Sequence, residues 1–223
     1  MSEQVLPFYL VCDESWSMED SIGHMNQALV ELHKEIASNP VVADKTRLSL
    51  IGFAGDAETL LPLSDLSDLE TMPGLACRDG GTNFRAAFAA TRTQIEDDVR
   101  LLKGDGMTVL RPVCFFLSDG AHNAHEDWRK EYTDLISPEF GPHPNIVAFG
   151  LGDAEPDAIR RIGTFKAFMA ADSISPADAL REFVGSLTRS IVKSGSAHDA
   201  SGAPKLIVED TVPGFTALDL DTV

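Results

Sequence analysis

Positive charge is scarce in this chain: 18 lysines and arginines face 35 aspartates and glutamates, leaving a formal net charge of −17 and a pI of about 4.6. Such a balance repels phosphate backbones and anionic lipid, so neither nucleic acid nor a membrane is expected as a partner. Cysteine is scarcer still. The three present, Cys12, Cys77 and Cys114, are an odd number without metal-type spacing, and Cys12 and Cys114 fall in apolar runs where a thiol serves as a small hydrophobe. No stretch approaches membrane-span length, and Met1-Ser2-Glu3-Gln4 is acidic where a secretory signal is basic. A reduced, cytoplasmic protein is the expectation. Also missing are a Gly-x-Ser-x-Gly elbow, a Gly-x-x-x-x-Gly-Lys phosphate loop and a Gly-x-Gly-x-x-Gly after the first strand, which argues against the enzyme classes those motifs mark.

What is present reads as one soluble α/β domain with a short appendage: 223 residues, 43% hydrophobic and 24% charged. Phe8-Tyr9-Leu10-Val11-Cys12 is an apolar run stopped by Asp13-Glu14-Ser15-Trp16-Ser17-Met18, the pattern of a buried central strand that delivers polar groups at its C-terminal end. Further apolar strands are expected at Arg47 to Phe53, Arg111 to Leu117 and Asn145 to Gly150. Glu58 to Leu63 should return beside the second as an antiparallel edge, and Ala167 to Met169 should be a short edge strand. Helical spacing marks Met25 to Ile36, closed by Asn39-Pro40, then Phe84 to Lys103, Trp128 to Ile136, Pro156 to Ile162 and about Ser175 to Val192. Ser64 to Met72 reads as a loop or short helix. Strands alternating with helices predict a doubly wound, mostly parallel six-stranded sheet with one antiparallel edge strand and helices on both faces. Residues 1–194 would form this domain and 195–223 a linker and acidic C-terminal tail, in which Leu206-Ile207-Val208 and Thr216 to Leu220 form either a weak hairpin against the domain or a contact for a partner.

Two core strands end in an aspartate beside small polar residues, Asp13 and Asp119, and Thr82 follows a Gly80-Gly81 turn. In a parallel sheet all strand C-termini share one edge, so these distant residues can meet in one crevice. Asp13, Ser15 and Ser17 alternate, and one charged with two neutral oxygens suits a hard cation such as Mg²⁺. Thr82 has an ordinary reading too, because a hydroxyl at a helix entrance usually caps exposed N–H groups. His122 and His125, three apart, stand either as ligands or as residues of a solvated loop.

Asp13-x-Ser15-x-Ser17, the Gly81-Thr82 turn and Ser118-Asp119-Gly120, in this order and strand context, resemble the metal-ion-dependent adhesion site of von Willebrand factor type A domains. The resemblance spans roughly residues 5 to 192, including Val147 to Gly152. It implies that Ser15 and Ser17 bind a divalent ion through their hydroxyls and that Thr82 does so directly or through water. Asp13 and Asp119 would act through water or from behind the ligands. Mg²⁺ is the first choice, with Mn²⁺ or Ca²⁺ as alternatives, and an acidic residue of a protein partner would complete the ion's shell. Tyr9 ahead of Asp13-x-Ser15-x-Ser17-Met18 further resembles the bacterial tellurium-resistance group of such domains, implying a stress or chemical-defence role beside kinase- or phosphatase-like partners. Where the family usually has glycine, this chain has Trp16, either an exposed contact anchor or a ring folded onto a neighbouring loop; Glu14 would shield the site. Two other functions fit the residues less well. A Mg²⁺-dependent phosphoryl-transfer hydrolase would want a second aspartate where Ser15 stands, and a scaffold with a vestigial metal site would bind through other surfaces.

Overall fold

The computed structural model describes residues 4–120, 122–123, 127–196 and 206–220. In chain order the elements are β1 (Gln4–Asp13), a 3-10 turn (Trp16–Met18), α1 (Glu19–Ala37), α2 (Pro40–Lys45), β2 (Thr46–Phe53), β3 (Ala57–Ser64), α3 (Phe84–Gly104), β4 (Thr108–Val109), β5 (Val113–Ser118), α4 (Arg129–Ile136), β6 (Asn145–Gly150), α5 (Pro156–Ile162), β7 (Lys166–Ala170), α6 (Pro176–Ser196) and β8 (Phe215–Leu218). Pro40 opens α2 instead of merely closing α1, since a proline at the first helical position gives up no hydrogen bond. Residues 65–72 form no helix.

The sheet runs β3-β2-β1-β5-β6-β7-β8, with β4 pairing the first residues of β1. All six expected strands are present, in a mostly parallel sheet with β3 antiparallel at one edge. Two strands are additions. β4 is only two residues long, too short to show a period, and β8 lies antiparallel to β7, which makes β7 an inner strand. Leu206-Ile207-Val208 does not pair with β8. It runs beside the end of α6, where the Ser194 hydroxyl accepts from the Ile207 N–H and Glu209 meets Arg189 and Lys193.

Alternation along β1 assigns side chains to two cores. Leu6, Phe8, Leu10 and Cys12 join Leu29, Leu32, Phe115, Phe149, Phe183 and Leu187 beneath α1 and α6. Tyr9 and Val11 join Ile51, Phe53, Phe84, Phe88, Phe116 and Trp128 beneath α3 and α4. With β1 covered on both faces, its near-continuous apolar run is explained. The strand order also reverses at β1: β2 and β3 build outward on one side, and the chain crosses through α3 to add β5 on the other. Such a reversal leaves a crevice at the strand C-termini, and Asp13 and Ser118 stand on either side of it.

Val208 and Val212 are buried in the same core as α6, so this segment contributes to stability. A chain ending at residue 196 should lose roughly 3 kcal/mol or more in urea denaturation through these two side chains alone. An unchanged midpoint would show that the segment is dispensable.

Candidate functional site

Asp13 closes β1 with no solvent exposure, and its carboxylate is held from two directions. Oδ2 accepts the Ser118 hydroxyl at 2.6 Å, and Oδ1 accepts the Ser15 backbone N–H at 2.9 Å. The second bond turns the chain sharply out of the strand, and Met18 N–H donating to Ser15 O at 2.9 Å continues the turn as 3-10 helix. Ser15 and Ser17 are thereby folded together, their hydroxyl oxygens 3.0 Å apart. Ser17 donates to Asp119 Oδ1 at 2.7 Å, which leaves Ser15 as the donor between the two serines. Asp119 is placed by β6 and the turn beyond it: Leu151 N–H donates to Ser118 O and Asp153 N–H to Asp119 O.

Thr82 approaches from the third side. The cap of α3 is Asn83, whose Oδ1 accepts the Ala86 N–H at 2.8 Å while its Nδ2 donates to Gly55 O. The ordinary capping role thus falls to the next residue, and the Thr82 hydroxyl is not used for it. Asn123 clamps the Thr82 backbone, accepting its N–H through Oδ1 and donating its own N–H to Thr82 O, both at 3.1 Å. Gly81 (φ +81°) makes this possible, because a Cβ there would lie 2.3 Å from Asn123 Oδ1. A Cβ on Gly120 would stand 3.5 Å from Thr82 Oγ1 and 3.6 Å from Ser17 Oγ. The missing side chain keeps open the space between these two hydroxyls.

Burial pushes the Asp13 carboxyl up to about 6, against the lowering effect of its bonds from Ser118 and Ser15. Asp119 is raised as well, chiefly by burial, with Asp153 adding to it. Negative charge here is undercompensated, which favours a cation. Neighbouring oxygens of a Mg²⁺ octahedron with bonds of about 2.1 Å lie roughly 3 Å apart, and the Ser15 to Ser17 spacing of 3.0 Å fits that edge. Among the described residues no three His, Cys, Asp or Glu side chains gather as a metal cluster, so any cation here relies on hydroxyls.

The structure brings together Asp13, Ser15, Ser17 and Asp119 by hydrogen bonds, with Thr82 facing Ser17 across Gly120. Glu14 is a correction: it does not shield the site. It is 1% exposed and turned inward, where Arg78 Nε donates to Oε2 at 2.9 Å and Ala76 N–H to Oε1 at 2.8 Å. Gly52 makes room for that carboxylate, since a Cβ there would lie 2.1 Å from Glu14 Oε2. Trp16 takes the exposed alternative, at 63%. His122 packs its ring near Phe84 and Trp128, and His125 lies outside the described residues. Sequence reasoning gave no role to Ser118, Asn123 or Gly52. A glycine inside an apolar strand is itself a signal of close approach, whereas nothing local marks Asn123, 41 residues from the threonine it clamps.

Residues 8–121 match the family model described as von Willebrand factor type A domain. Among solved structures, the chain is similar to proximal thread matrix protein 1 from the mussel byssus with a zinc-occupied MIDAS motif (TM-score 0.58, 14% identity, 86% of this chain, 48% of that one). It is also similar to a von Willebrand factor type A protein from Catenulispora acidiphila (0.55, 16%, 86% and 43%). A third is the pilus adhesin SpaC from Lactobacillus rhamnosus GG in its open conformation (0.62, 15%, 86% and 30%). The chain spans less than half the length of each of these three. No curated protein sequence matches.

The Glu14 cradle is open to a direct test. Gly52→Ala should destabilise the protein by about 3 kcal/mol in urea denaturation, the scale of a broken buried ion pair. In a Glu14→Ala background the same substitution should cost little, because the three atoms nearest the added Cβ all belong to Glu14. Equal losses in both backgrounds would rule out the clash.

Proposed function

From the premise that this chain belongs to the von Willebrand factor type A family, we propose that it is a metal-ion-dependent protein-binding module. One observation carries the reading: two serines and an aspartate linked in a chain of hydrogen bonds, with a threonine hydroxyl facing them across a glycine. Ser15 and Ser17 hold a divalent cation through their hydroxyls, and Thr82 does so directly or through water. Asp13 and Asp119 act through water or behind the hydroxyls, Asp13 by fixing Ser15 and Ser118 and Asp119 by fixing Ser17. Neutral hydroxyl donors leave a cation with charge to spare, which an acidic side chain of a protein partner satisfies. Mg²⁺ suits this set best, with Mn²⁺ or Ca²⁺ as alternatives.

Binding without turnover is supported by the residues. An aspartate nucleophile at Asp13 would need reach and an acid two residues on; Asp13 is fully buried and Ser15 stands at that place. The similar proteins named above include an adhesin and a matrix protein. Among the described residues no helix is long and apolar enough to cross a membrane. The opening from Tyr9 to Met18 supports the narrower proposal of a bacterial tellurium-resistance or stress-response system, in the cytoplasm, with kinase- or phosphatase-like partners.

Titration calorimetry with Mg²⁺ should give saturable binding that Ser15→Ala and Asp119→Ala each weaken at least tenfold; unchanged affinity in both would sink the site assignment. Trp16→Ala should leave stability within about 0.5 kcal/mol, as for an exposed side chain. Capture of partner from native cells, strong with Mg²⁺ and lost with chelator, should nonetheless fall in that variant. Undiminished capture would remove Trp16 from the interface.

A further inference from the structure

A cleft of about 530 Å³ lies between α4 and α5. Arg129, Arg160 and Arg161 line it, and no aspartate or glutamate does so among the described residues. In a chain with only 18 basic residues and a net charge of −17, three arginines at one cleft are a local concentration of positive charge. Their existing partners are weak. Arg160 meets Asp157 and Arg129 lies 3.9 Å from Asp127, both pairs with largely exposed carboxylates, and Arg161 has no carboxylate partner among the described residues.

Two further features make the cleft more than a charged surface. Its wall is apolar and aromatic, from Trp128, Tyr132 and Leu220. Tyr132 fixes the spacing of the two helices, its hydroxyl donating to Arg161 O at 2.5 Å, with Ile162 O at 3.1 Å. Guanidinium forks at the cleft match a carboxylate or a phosphate group.

We propose that this cleft is a second binding site, for a small aromatic anion whose carboxylate or phosphate meets Arg129, Arg160 and Arg161 while its ring lies on Tyr132, Trp128 and Leu220. The volume falls within the range of small-molecule pockets. The site shares no lining residue with the hydroxyl and carboxylate centre. Thr164, another residue of the cleft, accepts the Ile146 N–H at 2.8 Å at the start of β6, so this end of the cleft lies at the opposite sheet edge from Asp119.

The test is calorimetric titration of the full chain, in chelator, with 2-naphthoate, phenyl phosphate, inorganic phosphate and uncharged 2-naphthylmethanol. Saturable binding of at least one aryl anion is expected, at least tenfold tighter than the alcohol and than inorganic phosphate. Arg129→Gln with Arg161→Gln, two exposed positions whose loss leaves the fold intact by circular dichroism, should weaken it at least tenfold. The proposal is overturned by no saturable heat from either aryl anion, by equal affinity for the alcohol, or by affinity that the double substitution leaves unmoved.

Discussion

Asp13 is a carboxylate with no exposed surface at the end of a strand covered on both faces, and burial of that kind is unfavourable unless each oxygen is occupied. Here one oxygen takes a hydroxyl from β5 and the other a backbone N–H from the loop that follows. The first bond ties the two central strands together at their upper ends. The second dictates the turn that sets Ser15 against Ser17, and Ser17 then fixes Asp119. Ser15 and Ser17 are thus arranged by a single buried charge, whereas Asp119 is also placed by β6 and the turn beyond it and Thr82 by Asn123.

The loop is held as firmly from beneath. Glu14 is directed inward to Arg78, while its backbone N–H donates to Phe53 O and its C=O accepts from Arg78 N–H. Three segments therefore meet at one residue: the end of β1, the end of β2 and the stretch before the Gly-Gly turn. Glu14 points inward while Trp16, in the 3-10 turn that follows, is exposed, and the chain presents an indole beside its polar centre.

Much of this was legible in the sequence, for identifiable reasons. Apolar runs that end in Asp13 and Asp119 report both the burial of a strand and the place where it stops, so the sheet and the meeting of the two carboxylates follow from pattern. Thr82 was ambiguous because one hydroxyl at a helix entrance looks like any other; only the cap made by Asn83 removes the ordinary explanation. Glu14 and Arg78, like Thr82 and Asn123, are pairs that no local period connects, and acidic residues in loops ordinarily face water. Strands β4 and β8 escaped because their pairing is set by what the rest of the sheet leaves open, not by their own few residues.

The parallel pairing of β1 with β5 also constrains how the chain acquires its shape. Their register joins Phe8 to Val113 and Cys12 to Leu117, and the bond from Ser118 to Asp13 spans 105 residues. Within this domain the central strand β1 is synthesised before its neighbours, and its β5 side waits unpaired until β5 has emerged. Folding dominated by such distant pairings is slow, because the intervening chain must be ordered before the contacts reward it. An apolar strand left waiting is also the segment most prone to pair with a neighbouring molecule. Asp13 finds Ser118 only once β5 has emerged, so the centre assembles late, and a nascent chain that has not reached Asp119 cannot contain it.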